Sequence, residues 1–237
     1  MVSLRKTSLV DYPGRVSAVI FLPGCNLRCP WCQNRGLVLQ TAPAPGEQGL
    51  VPLEEALALI EKRRKLLGGV VVSGGEPTIY PALGDLMTGL HDLGLPVKLD
   101  TNGMNPRTLE KICGDRSSRP DYIALDLKLA PRRYGDLLPR GEAGPPPFDP
   151  AAALAESAAL IRSSGIPHEY RSLALPEGYF GRGDIEALSP LVAGGPWHFR
   201  PFSPGNCLDP AWDSLPSTGE KETAALAETA KQGGRLD

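Results

Sequence analysis

The chain has 237 residues, 41% of them hydrophobic and 22% charged, with a formal net charge of −2, which suits one globular domain with a substantial core. Its pI of about 6.0 gives no global positive field to draw in a nucleic acid or an anionic membrane surface. The N-terminal "MVSLRKTSLVDYPGR" has no apolar stretch of signal-peptide length, and no run of about 18 apolar residues occurs anywhere. A cytoplasmic protein without nucleic-acid or membrane partners is therefore expected.

In chain order, residues 15–22 (RVSAVIFL) form an apolar, β-branched run that ends at Pro23-Gly24, the pattern of a buried strand entering a loop. From 52 to 67, Leu53, Leu57, Ile60 and Leu67 recur at helical spacing, and the charges from Glu61 to Lys65 suit the solvated face and C-terminus of that helix. Residues 68–77 (GGVVVSGGEP) predict a second strand, followed by a helix near 81–93. Residues 95–103 (LPVKLDTNG) predict a third strand, with a short helix from 106, and 121–128 (DYIALDLK) a fourth. The Pro/Gly-rich stretch 138–150 reads as a loop, either plain surface or a docking lid on the active-site face. An Ala-rich helix over 151–164 comes next. Strands over 167–176 and 196–202 flank a helix near 183–193.

Strands alternating with crossover helices pair in parallel. The fold class is α/β, a partial (β/α)6 TIM-like barrel, open, with parallel strands over 1–204. Residues 205–237 read as a loosely attached C-terminal tail with a short helix.

Chemistry in such barrels gathers at the C-terminal ends of the strands. There the predicted strands place a cysteine loop, then Gly74-Gly75-Glu76, Asp100-Thr101-Asn102, and Asp126 with Lys128. Asp126 and Lys128 alternate along one strand and so share a face, which two charges in an apolar strand do when they pair or hold a ligand. Gly74-Gly75 also suits a simple tight turn, Asp100-Thr101-Asn102-Gly103 an Asx-type turn, and Arg171 a surface strand charge.

The loop "GCNLRCPWCQN" brings Cys25, Cys29 and Cys32 together. Five cysteines, three of them clustered, suit ligands better than disulfides in a reducing compartment. Structural zinc wants four ligands; here the fourth would have to be distant, His91, His168, His198, Cys113 or Cys207. A [4Fe-4S] cluster held by three thiolates keeps one iron open to a substrate or cofactor.

C-x3-C-x-aromatic-C, filled by Cys25, Cys29, Trp31 and Cys32 and backed by "GGEP", resembles the signature of the radical S-adenosylmethionine (SAM) enzymes over residues 5–210. "SLVDYPGRVSAVIFLPGCNLRCPWCQN", "SGGEPT", "DTNG" and "ALDLK" resemble in particular the activating enzymes of glycyl-radical enzymes. Within these the chain is most similar to the activating protein of anaerobic ribonucleotide reductase in its longer form, then to the pyruvate formate-lyase activating enzymes.

The resemblance implies an oxidoreductase with one [4Fe-4S] cluster on Cys25, Cys29 and Cys32, the fourth iron chelated by SAM. It implies reductive cleavage of SAM to methionine and a 5'-deoxyadenosyl radical, which takes a hydrogen atom from a glycine Cα of a partner enzyme. A low-potential electron donor such as flavodoxin or ferredoxin is implied with it. By the same resemblance Trp31, Gly74, Gly75, Glu76, Asp100, Thr101, Asn102, Asp126, Lys128 and Arg171 contact SAM. Asp100, Thr101, the Ala124 carbonyl and Asp126 match residues that hold a monovalent cation in the pyruvate formate-lyase branch.

Three departures stand out. Relatives commonly read D-G-P-G where this chain has Asp11-Tyr12-Pro13-Gly14, and C-H-N where it has Cys32-Gln33-Asn34. Where the pyruvate formate-lyase branch has P-Y-H, this chain has Pro201-Phe202-Ser203, which points toward the reductase branch. Other activators, a radical SAM enzyme on a small molecule, and a non-catalytic zinc or iron-sulfur module are the alternatives.

Overall fold

A computed structural model describes residues 1–39, 49–139, 148–192 and 195–233. The segment expected to be a lid or surface loop, 138–150, falls outside the described residues over 140–147.

Among the described residues seven strands form one sheet in chain order: β1 (Ser3–Ser8), β2 (Ser17–Leu22), β3 (Gly69–Gly74), β4 (Val97–Thr101), β5 (Tyr122–Asp126), β6 (His168–Ala174) and β7 (Trp197–Pro201). Strands β2 to β7 pair in parallel. β1 pairs antiparallel to β2, with Ser3 opposite Phe21. The predicted open, parallel (β/α)6 architecture holds, since β1 and β7 do not pair to close the sheet. The antiparallel edge strand was not predicted. Its sequence SLRKTS buries only Ser3, Leu4 and Ser8, and so gives no apolar run to recognise.

The helices are α1 (Arg35–Leu39), α2 (Leu53–Arg63), α3 (Leu83–Asp92), α4 (Pro106–Gly114), α5 (Pro150–Ser163), α6 (Arg182–Leu188) and α7 (Glu220–Gly233). In α3 the buried Leu83, Leu86, Met87 and Leu90 make the i, i+3, i+4, i+7 stripe of a helix that covers a sheet. α5 starts where Asp149 accepts the Ala151 and Ala152 amides, with Pro150 in the first turn, where its missing N–H costs nothing. The main core joins these stripes to one face of the strands, through Ile20, Leu22, Val70, Val72, Leu99, Ile123 and Leu125.

The other face differs. Tyr12, Val19 and Val71 form a small separate cluster there with Phe21 and Tyr122 packed on it. Farther along, the same face turns polar, because Lys98 and Asp100 on β4, Asp126 on β5 and Arg171 on β6 alternate with the core residues.

The segment after 205 is not a loose arm. Cys207, Trp212 and Thr218 are buried, and the Thr218 hydroxyl donates to the Ala174 carbonyl at 2.7 Å and accepts the Phe202 amide at 2.7 Å. Local composition reads as a loop here, while burial comes from tertiary contacts that composition does not encode.

Candidate active site

The C-terminal ends of the parallel strands open into one cavity of about 510 Å³. All the predicted cysteines and SAM-contact side chains line it: Cys25, Cys29, Trp31 and Cys32 from the loop after β2, Gly74, Gly75 and Glu76 after β3, Asp100, Thr101 and Asn102 at β4, Asp126 and Lys128 at β5, and Arg171 on β6. Ala124 is buried one step back on β5 and is not a lining residue. Of the histidines offered as a fourth zinc ligand, none lines the cavity. His91 is held by the Ser117 carbonyl and Asp121, and His168 by the Ile166 carbonyl. Cys113 and Cys207 are buried and do not line the cavity.

The cysteine loop is positioned by backbone. Gly24, at φ 82°, turns the chain out of β2. Its amide donates to Leu37 O at 2.8 Å and its carbonyl accepts the Glu76 amide at 2.9 Å. A Cβ on Gly75 would sit 1.8 Å from that Gly24 oxygen, and one on Gly74 2.3 Å from the Leu22 backbone. The missing side chains thus let the end of β3 pack against β2 and the cysteine loop, while both glycines still line the cavity. Arg28 donates to the Cys25 and Leu27 carbonyls, and its amide reaches Leu137 O at 2.6 Å.

Burial pushes the Cys25 thiol up to about 11 and the Cys29 thiol up to about 12, against a lowering by the Leu27 amide at Cys25 and by Lys128 at Cys29. Burial thus favours the neutral thiol at both, and the positive charge of a metal bound there would be what makes thiolates of them. Leu27 N points at Cys25 Sγ at 3.4 Å, and Asn102 Nδ2 lies 3.9 Å from it. Among the described residues no three His, Cys, Asp or Glu close on a single metal ion. Three thiols spread around a shared cavity, Cys29 buried and Cys25 and Cys32 partly buried, fit a cluster better than mononuclear zinc.

Glu76 is buried, and its carboxylate accepts four bonds: the Thr78 amide (3.1 Å) and hydroxyl (2.5 Å), the Thr101 hydroxyl (2.7 Å) and the Asn102 amide (2.7 Å). It ties the end of β3 to the end of β4, a strut at a residue that also lines the cavity. Asn102 in turn donates to Asn26 Oδ1 at 2.8 Å, so the DTNG turn is pinned to the cysteine loop.

An ion-pair chain crosses the floor. Lys98 Nζ lies 2.6 Å from Asp100 Oδ1 and 3.5 Å from Glu169 Oε1. Arg171 bridges Asp100 Oδ2 (3.2 Å) and Asp126 Oδ1 (2.8 Å), and Lys128 reaches Asp126 Oδ2 at 2.9 Å. Burial works against the charge on Asp126, but Arg171 and Lys128 outweigh it and hold the carboxyl well below the usual range. Lys98 was missed. It stands two residues before Asp100 in an apolar strand, the same alternation that singled out Asp126 and Lys128.

The chain from Ser203 onward braces the cysteine loop. Ser203 O accepts Gln33 Nε2 at 2.6 Å, Asp209 N donates to Pro30 O at 2.9 Å, and the Trp212 ring lies 5.2 Å from Trp31. On the far side Asp11 also lines the cavity, held by the Ser8 hydroxyl and Arg5.

Comparison with known proteins gives the family. The radical SAM superfamily model matches residues 19–177, and the chain belongs to that superfamily. It is an enzyme, and the superfamily's chemistry uses a [4Fe-4S] cluster and SAM. More particularly, the chain is 29% identical over 227 residues to a Methanocaldococcus jannaschii protein that carries the provisional name glycyl-radical enzyme activating enzyme, covering 95% of this chain and 89% of the relative. It is 40% identical over 97 residues to the 7-carboxy-7-deazaguanine synthase of Hyperthermus butylicus, covering 40% and 38% of the two chains. A radical SAM methyltransferase from Sphaerobacter thermophilus shares the fold at a TM-score of 0.64 and 15% identity, over 94% of this chain and 65% of that one. No described helix is long and apolar enough to cross a membrane.

Proposed function

We propose that this enzyme installs a glycyl radical in a partner enzyme, and that the partner is an anaerobic ribonucleotide reductase. The observation that carries the activase reading is the full-length match to an activating-enzyme relative. The match to the deazaguanine synthase, which suggests a small-molecule substrate, covers 40% of this chain.

The residues divide the work. Cys25, Cys29 and Cys32 are the proposed cluster ligands. The cluster and SAM, when bound, supply the 5'-deoxyadenosyl radical that abstracts hydrogen from the glycine Cα. Trp31, with Gly74, Gly75, Asp100, Thr101 and Asn102, shapes the SAM site, and Glu76 holds the DTNG turn in place. Lys128 and Arg171 bring positive charge to the cavity. Burial of Cys29 and partial burial of Cys25 and Cys32 limit water at the reacting centre.

The reductase branch is favoured by Phe202. It stands where the pyruvate formate-lyase branch has a tyrosine followed by histidine, and it is a buried core residue edge-on to Trp212 at 5.8 Å. Residues 1–204 are proposed as the catalytic unit, with 205–237 as its C-terminal extension, and flavodoxin or ferredoxin as the electron donor.

The test is an anaerobic incubation of the reconstituted protein with SAM, a reductant and the reductase subunit that bears a C-terminal glycyl loop. A glycyl-radical doublet in the electron paramagnetic resonance spectrum of that subunit is expected. SAM cleavage with no doublet in the reductase, but a doublet in a formate-lyase-type enzyme, would reassign the partner.

A further inference from the structure

The monovalent cation implied by resemblance does not fit the residues present. Every oxygen of the two carboxylates that would hold it already has a protein partner. Asp100 Oδ1 faces Lys98 at 2.6 Å, and Oδ2 accepts from Arg171 at 3.2 Å and from the Ser73 hydroxyl at 3.1 Å. Asp126 Oδ1 faces Arg171 Nε at 2.8 Å and Oδ2 faces Lys128 at 2.9 Å. The third expected ligand, the Thr101 hydroxyl, donates to Glu76 at 2.7 Å and accepts the Gly103 amide at 3.1 Å.

We infer that the Arg171 guanidinium is this chain's built-in substitute for that cation, so that cofactor binding here does not depend on potassium or sodium. The planar fork of Arg171 spans both carboxylates at once, which a spherical ion would do only by displacing it. Arg171 enters from β6, where it is in register with Asp126 on β5, so the strand pairing itself sets the bridge. Its side chain is only 13% exposed and lines the cavity, so it presents positive charge to a bound anionic group as the ion would. Charge balance points the same way: Lys98, Arg171 and Lys128 answer Asp100, Asp126 and Glu169. A further cation at the two aspartates would have to free Lys98, Arg171 or Lys128 from its partner within this largely buried chain, at a desolvation cost.

The inference rests on the SAM-site reading above, so the test has two readouts. SAM is titrated calorimetrically into the anaerobically reconstituted protein in potassium, sodium or tetramethylammonium chloride at one ionic strength. Melting temperatures of the same protein without SAM are read in the same three salts. The native protein is expected to bind SAM within about twofold in all three and to melt alike. In Arg171→Gln, which opens the carboxylate pair, potassium or sodium should tighten SAM binding about tenfold or more, equivalent to about 1.4 kcal/mol, and raise the melting temperature. Arg171→Lys, which reaches only one carboxylate, should fall between.

Tightening of about tenfold in the native protein by potassium or sodium, or a melting temperature raised by either, would overturn the inference. SAM binding absent in every salt would overturn the cofactor reading instead, with the melting data still deciding the cation question.

Discussion

The indole of Trp212, from the C-terminal segment, packs against the indole of Trp31 inside the cysteine motif, with ring centroids 5.2 Å apart. Tyr179 lies on Trp212 from another side at 4.4 Å. The C-terminal segment is therefore part of the wall that holds the cysteine loop. Trp212→Ala is expected to cost about 3–5 kcal/mol, as large-to-small changes at buried aromatics do, and to lower iron retained after gel filtration. Trp212→Phe should keep most of both. Full iron content and an unchanged melting temperature in Trp212→Ala would contradict a structural role for the tail.

Much of this site was legible because its signals are local. Cysteine spacing fixes the loop, and strand alternation puts Asp126 and Lys128 on one face, as it would have put Lys98 beside Asp100. What stayed hidden depends on contacts distant in sequence. β1 is a polar edge strand recognisable only from its partner. The burial of Trp212 and Cys207 depends on Trp31 and its loop. That the missing side chains of Gly74 and Gly75 also make room for Leu22 and Gly24 is a tertiary contact the sequence does not display. The strut role of Glu76 was not legible, because a lone carboxylate at a strand end gives no sign of the four donors that converge on it.

Gly75→Ala tests the packing of strand end against cysteine loop. A Cβ there meets backbone, the Gly24 carbonyl oxygen at 1.8 Å, which cannot move without dislodging Cys25. Loss of cluster binding is expected on anaerobic reconstitution, read as iron and sulfide per chain. Normal loading would show that the loop can shift at little cost.

Glu76→Ala removes the acceptor for two buried backbone amides, those of Thr78 and Asn102. Unsatisfied buried donors cost about 1–3 kcal/mol each, so urea unfolding should show a loss of ~2 kcal/mol or more, and SAM affinity should fall as the DTNG turn loosens. Glu76→Gln, which keeps one acceptor oxygen, should lose less. Equal stability in Glu76→Ala would remove the strut role.

The Asp126 pairing has a pH signature. Its carboxyl titrates below the ordinary value of about 3.9, held down against burial by Arg171 and Lys128. A lowered acid contributes stability that is complete above the unfolded value and is lost as pH falls through the folded one. Asp126→Asn should therefore be less stable than the native protein by about 3 kcal/mol at neutral pH, the low end for breaking a buried pair. That gap should hold down to about pH 5 and shrink below about pH 4. A gap that widens on acidification would contradict the pairing.

The central claim is that Cys25, Cys29 and Cys32 hold a catalytic cluster in a cavity that binds SAM. Its most direct test is anaerobic assay of 5'-deoxyadenosine after reconstitution with iron and sulfide and addition of dithionite and SAM. Cys25→Ala, Cys29→Ala and Cys32→Ala serve as controls. The account predicts 5'-deoxyadenosine from the native protein and none above background from any of the three variants. SAM left intact by a native protein that holds only zinc, or turnover retained in any cysteine variant, would contradict it.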